Sequence, residues 1–268
     1  MSDFPEKLRL PLDAPADEML GMHGDRNAAY WQTFSRITTD NPHSLMHTLT
    51  HWPAYVRRIS MQRFLAHYEL YKMAANLPGS IVELGVSRGV SLMTWHKLIE
   101  IFNPTDTFRR VYGLDSFEGL VDFNEHDGVV RGGDDSGKRI GGWSAASQER
   151  ELFDLIDLTN SDNILARERT KLIKGRVQDT LPGFLDDHPG LRICILHLDM
   201  DIYEPTRFAL EQLYDKVVPG GVVVLDQYGA PPWEGEARAV EDFFGKNRVP
   251  QIRKLEFCQF VGGYFIKE

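Results

Sequence analysis

From residue 80 onward, short β-rich runs alternate with segments of helical periodicity, and this alternation limits the fold more than any other feature of the chain. The β-rich runs are "SIVELG", "RVYGLD", "TKLIKG", "LRICILHLDMD" and "GGVVVLDQYG"; between and after them, "GVSLMTWHKLIEIF", "PTRFALEQLYDKV" and "GEARAVEDFFGKN" carry apolar residues at helical spacing. Parallel strands need crossover connections, and helices supply them, so the pattern predicts a doubly wound, mostly parallel sheet covered on both faces. The last stretch, "IRKLEFCQFVGGYFIKE", can close the sheet as an antiparallel hairpin. Five strands and the hairpin's two make an expected total of seven.

The chain ahead of this pattern reads differently. Residues 1–59 are rich in His and aromatics and broken by prolines, which predicts a helical and irregular extension. "SMQRFLAHYELYKMAANL" then places Phe64, Leu65, Tyr68, Tyr71 and Met73 at helical spacing, opening a domain over residues 60–268. Within that domain, residues 116–145 are rich in Gly, Asp and Glu, and a polar stretch of this length suits a lid or binding loop.

The formal charge of −9 argues against nucleic acid or an anionic membrane as partner. Two cysteines exclude a disulfide framework. The chain shows neither a basic-then-apolar leader nor a run of eighteen apolar residues, so the expected location is the cytoplasm.

Open α/β sheets bind ligands beyond the carboxyl ends of their strands. Here those ends hold Glu83 to Gly85, Asp115, Gly175 to Asp179, Asp199 to Asp201, and Asp226 to Tyr228, an accumulation of acids along one rim. The first turn, "ELGVSRGVS", has Gly85 and Gly89 four apart, with Ser87 where a dinucleotide fingerprint has its middle glycine. That is unsuited to a pyrophosphate, which disfavours an NAD-type oxidoreductase. Glu83 suits an ammonium group, and Asp115 the two hydroxyls of a ribose. A ligand with ribose and amine but no phosphate fits S-adenosylmethionine.

Taken together, "IVELGVSRGVSLM", "VYGLDSFEGL", "VQDTLP", "LHLDMDIYEPT" and "PGGVVVLDQYG" resemble the macrocin O-methyltransferase family, from about residue 60 to the end. The resemblance implies a Rossmann-like enzyme that methylates sugar hydroxyls of antibiotics with S-adenosylmethionine, and one that self-associates. It implies contacts to the methionine part from Glu83, Gly85, Ser87 and Gly89, to the ribose from Asp115 and Ser116, and to the adenine edge from Gln178 and Asp179. Asp199 and Asp226 match divalent-metal ligands, and Asp201 the acid that takes the acceptor's proton. Gln227 departs from the pattern, since the family has Asp there.

The chemistry can be argued independently. A sugar hydroxyl must lose its proton as it attacks the sulfonium methyl, and a carboxylate base or a divalent cation assists. Mg²⁺ takes oxygen ligands, which Asp199, Asp226 and the Gln227 carbonyl could supply. Asp199 and Asp201 alternate on an extended strand and face opposite sides unless the strand breaks there. Gln227 keeps open a relative that binds S-adenosylmethionine without methyl transfer, or one adapted to hydroxylation. Elsewhere, His43, His47 and His51 share one helical face, His197 reads as a core residue, His96 as a surface one and Cys194 as an inert core thiol.

Overall fold

The computed structural model describes residues 16–40, 42–128, 138–165, 167–259 and 261–268, with side chains from residue 28 onward. The chain divides between Arg57 and Arg58 into two compact units. The first holds helices α1 (Ala16–Asp40), α2 (Leu45–Thr50) and α3 (Trp52–Tyr55). Ser44 caps α2 by accepting from the His47 amide. The rings of His43, His47 and His51 stack along the exposed face, each 4.3 Å from the next.

The second unit opens with α4 (Arg58–Ala74) and β1 (Ser80–Leu84), followed by α5 (Val90–Phe102), β2 (Val111–Asp115), α6 (Glu149–Asp162), β3 (Thr170–Lys174) and α7 (Val177–Asp187). It closes with β4 (Ile193–Leu198), α8 (Tyr203–Leu213), β5 (Val217–Leu225), α9 (Glu234–Phe244) and β6 (Gly263–Ile266). The strands lie in the order β3-β2-β1-β4-β5-β6, all parallel except β6, which runs antiparallel to β5. The expected doubly wound sheet is therefore present, with six strands among the described residues.

Period-two alternation sorts the core into two layers. Ile81, Val111, Ile195, Val222 and Val224 face one side and pack with Leu70, Trp95 and Leu152 of α4, α5 and α6. Val82, Leu84, Leu114, Leu196 and Val223 face the other and pack with Leu181, Leu210 and Val240 of α7, α8 and α9. Gly113 is required on β2, because a Cβ there would lie 2.8 Å from a methyl of Leu92 on α5. Among the described residues, no helix is long and apolar enough to cross a membrane.

Three local readings change, and a fourth falls partly outside the described residues. The C-terminal hairpin is reduced to β6, since its first arm pairs at one bridge alone, between Arg253 and Tyr264. Two helices, α6 and α7, stand between strands in stretches to which the sequence pattern assigned no element, and Pro182 lies inside α7. His96 is buried rather than on the surface, its Nδ1 2.8 Å from Thr170 Oγ1. Part of the expected lid, residues 129–137, lies outside the described residues.

Candidate active site

The acids converge because three adjacent strands end on one line. Glu83 and His197 are direct neighbours across β1 and β4, and His197 pairs in turn with Val224 of β5. Asp226 follows two residues on from Val224 and so emerges on the same sheet face. This face carries an apolar layer below and a polar column at the rim.

His197 is fully buried and sits between Glu83 Oε2 and Asp226 Oδ1, 3.4 Å from each. Burial alone would lower its pKa, but hydrogen bonds to Asp226 and Glu83 outweigh burial and raise it to about 10. Both ring nitrogens of His197 thus lie within reach of a carboxylate oxygen, and Nδ1 also lies 3.5 Å from the Trp95 indole nitrogen. Helix α4 covers the column with Arg63, whose guanidinium donates to Asp199 Oδ2 at 2.7 Å and to Asp226 Oδ2 at 3.0 Å. Against the penalty of burial, Arg63 and His197 hold the Asp226 carboxyl far below the usual carboxylate range. Asp199 is raised to about 7, by burial first and then by the nearby Asp226 charge.

At the end of β4 the alternation breaks. Ile202 donates its amide to the Met200 carbonyl at 2.7 Å, closing a three-residue turn around Asp201, which takes a φ of 63°. The turn swings Asp201 onto the side of Asp199, so both acids line one cavity. Asp201 is buried, and its Oδ1 has no hydrogen-bond partner within the protein. Its pKa lies well above the ordinary value, through burial first and then the charges of Asp199 and Asp226.

Gly85 lets this arrangement close. A Cβ at Gly85 would sit 1.9 Å from the Asp199 carbonyl oxygen, and its φ of 86° is left-handed. Gly85→Ala is therefore expected to cost stability by more than the roughly 1–3 kcal/mol of left-handed strain alone. Thermal melting checks this, and an unshifted midpoint would contradict the packing described.

The cavity has a volume of about 1030 Å³. Of the expected site residues, Gly85, Ser87, Asp115, Ser116, Gln178, Asp199, Asp201, Asp226 and Gln227 line it. Asp115 is built into its wall: Oδ2 accepts from the amides of Val86 and Ser87 at 2.6 and 2.7 Å, and Oδ1 from Phe117 at 2.6 Å. A carboxylate has about four acceptor directions, so Asp115 has roughly one left for a ribose hydroxyl rather than two.

Three expected residues stand elsewhere. Glu83 is fully buried and turned to His197, Gly89 is covered by Leu152, and Asp179 lines an adjoining hollow beside Asn124 that shares Gln178 with the cavity.

His197, Asp199 and Asp226 bring one potential ligand atom each within 4.8 Å of one another, which gives the cluster the donor types of a metal centre. The arrangement around those atoms does not fit a divalent ion. Arg63 takes an oxygen of each carboxylate, and both ring nitrogens of His197 are committed. Gln227 turns its amide nitrogen, not its carbonyl, toward Asp226 Oδ2 at 3.3 Å.

Two participants escape a reading of strand ends because they lie on helices. Arg63 continues the buried α4 stripe of His67, Leu70 and Ala74, and a cation in line with buried positions is a recognisable signal. Glu236 likewise shares the buried stripe of α9 with Ala239 and Val240. It accepts from the backbone N–H of Gln227 at 3.1 Å, and its pKa is raised well above the ordinary value, first by burial and then by Asp226 and Asp201.

The macrocin-O-methyltransferase (TylF) family matches residues 28–265, reaching further toward the N-terminus than the motifs did. A rhamnosyl-tetracenomycin-C 4′-O-methyltransferase of Streptomyces olivaceus is 31% identical over 187 residues, covering 65% of this chain and 61% of its own. Demethyldecarbamoylnovobiocin O-methyltransferase of Streptomyces niveus is 33% identical over 155 residues, covering 57% of this chain and 54% of its own. The matched stretch thus spans less than two thirds of either relative. The crystal structure of CalS11, a calicheamicin methyltransferase, shares the fold with a TM-score of 0.79 at 24% identity, covering 99% of this chain and 98% of that one.

Proposed function

The chain belongs to the macrocin O-methyltransferase family, and from that membership we propose that it transfers a methyl group from S-adenosylmethionine to a hydroxyl of a sugar carried on a natural product. The observation that carries the reading is Asp201, a buried carboxylate turned into the cavity by a strained three-residue turn, with one oxygen unpartnered. Backbone strain of this kind persists where the surroundings enforce it, and it concentrates at functional positions.

Bound S-adenosylmethionine supplies an electrophilic sulfonium methyl. Gly85 and Ser87 leave backbone exposed to its amino-acid part, Asp115 offers its remaining acceptor direction to the ribose, and Ser116 and Gln178 flank it. Asp201 accepts the acceptor's hydroxyl proton as the C–O bond forms and the C–S electron pair returns to sulfur. Arg63 and His197 keep the neighbouring acids compensated, so that Asp201 is the carboxylate left to take up a proton. The Mg²⁺ expected from the sequence has no part in this proposal, because Arg63 already bridges one oxygen of Asp199 and one of Asp226.

The sugar acceptor is supported by the two relatives, which act on a rhamnosyl-tetracenomycin and on a novobiocin precursor by their names. Self-association is proposed with it on family membership alone, and light scattering reads it. The decisive experiment is incubation with methyl-labelled S-adenosylmethionine and a panel of glycosylated polyketides and aminocoumarins. Label on a sugar oxygen supports the reading; label on nitrogen or carbon, or none despite intact S-adenosylhomocysteine binding, refutes it.

Asp115→Ala is expected to raise the dissociation constant for S-adenosylhomocysteine about tenfold or more. The change removes a charged acceptor from three amides, and bonds to charged groups contribute about 1.5–3 kcal/mol each. Calorimetry checks this, and unchanged affinity would count against the ribose assignment.

A further inference from the structure

The acids at the rim need a counter-charge, and the chain supplies one of its own. Two different nitrogens of Arg63 reach two carboxylates on neighbouring strands, Nη2 to Asp199 and Nη1 to Asp226. The opposite edge of the guanidinium is held as well: Nε and Nη2 donate to Ser91 Oγ of α5 at 3.2 and 3.0 Å. A planar fork fixed on both edges is a preorganised bridge, not a surface side chain that happens to lie nearby. Its side chain is 23% exposed, and Asp226 beneath it is 1% exposed.

The neighbouring residues are matched to a guanidinium. Gln227 adjoins Asp226, and its side-chain amide donates to Asp226 Oδ2 at 3.3 Å. An acid at position 227 would add a negative charge that one guanidinium could not balance; an amide adds none. Each ring nitrogen of His197 is already 3.4 Å from a carboxylate oxygen, of Glu83 on one side and Asp226 on the other.

We propose that the Arg63 guanidinium is the resident cation of this rim, bridging Asp199 and Asp226 in place of a divalent metal and excluding one. The inference rests on reading the rim as the methyl-transfer site, but its metal titration does not require any acceptor. A guanidinium neutralises and orients; it offers no empty orbital to polarise a hydroxyl. Deprotonation of the acceptor therefore falls to a carboxylate, and Asp201 is the cavity acid of the pair Asp199 and Asp201 to which no Arg63 bond runs.

The experiment is a titration of the full chain with MnCl₂ read by electron paramagnetic resonance, with MgCl₂ as competitor and with S-adenosylhomocysteine present or absent. Wild type is expected to leave Mn²⁺ free up to millimolar concentration. Arg63→Gln, its fold checked by circular dichroism, is expected to take up one ion with affinity improved about tenfold or more, the size of effect known for residues that support metal ligands. Arg63→Lys keeps the charge but not the fork, and is expected to take up the ion more weakly than Arg63→Gln. It replaces Arg63→Gln should that variant fail to fold.

Saturable, Mg²⁺-competed uptake by wild type below millimolar concentration overturns the proposal, and so does a folded Arg63 variant that binds no better than wild type. A second arm dialyses wild type against EDTA, and transfer that is lost and then restored by Mg²⁺ also overturns it. Absence of transfer to every acceptor, with the Mn²⁺ result as expected, would instead count against the proposed function and leave the role of Arg63 standing.

Discussion

Replacing Asp201 with Asn is expected to lower turnover about 10²- to 10⁴-fold while leaving S-adenosylhomocysteine affinity nearly unchanged, the range associated with loss of a general base. The substitution isolates the proton acceptor. Asn tolerates the left-handed backbone that Asp201 adopts at a φ of 63°, so the turn survives. The pH profile gives an independent check. Burial, followed by the charges of Asp199 and Asp226, raises the Asp201 pKa well above its ordinary value. A base acts in its deprotonated form, so turnover in wild type rises with pH through that raised range instead of levelling off in mild acid. In Asp201→Asn the residual rate should lose this rise. An equal loss of cofactor affinity in the variant would move Asp201 from proton transfer to binding.

Arg63→Ala is expected to destabilise the fold by about 3–5 kcal/mol at neutral pH, because removing one member of a buried ion pair leaves the other uncompensated. Asp226 is that other member, 1% exposed and held ionised chiefly by Arg63 and His197. For a domain of this size the loss corresponds to a fall in melting temperature on the order of 10 °C. The sign of the pH dependence follows from the depressed carboxyl. A group whose folded pKa lies below its unfolded value contributes stability above the unfolded value, and loses it as pH falls toward the folded one. The gap between wild type and variant should therefore be widest near neutrality and shrink below about pH 4, where an unpaired carboxyl protonates. Melting curves across that range decide the matter. A gap that stays constant with pH would assign the loss to packing of the α4 stripe, not to charge.

The sheet and its rim were legible because they depend on local pattern. Apolar runs such as "ICILHL" and "VVVL" are strands buried on both faces, and the acids that end them fall on one line once the strands pair in register. The break after Leu198 was legible only as an alternative, since nothing in "LDMDIYEP" states that Asp201 will adopt a left-handed backbone. Arg63 lies 136 residues from Asp199 along the chain, and its role depends on how α4 docks against the sheet, which no periodicity specifies. The ribose assignment shows a similar limit. Asp115 was correctly placed at a strand end, yet its oxygens are largely consumed by the loop that it fixes. Helix α7 carries Pro182 in its interior, and α6 follows a long polar stretch, so neither shows the clean helical signal of α5 or α8.

From Glu83 through His197, Asp226 and Arg63 to Asp199, acidic and basic side chains follow one another, each within hydrogen-bond reach of the next. Such a series restricts how a lineage can drift. A single replacement leaves an adjacent charge stranded in the interior, so neutral change must arrive as matched pairs of opposite sign, and sister proteins that differ at one of these five positions should differ at a neighbouring one too.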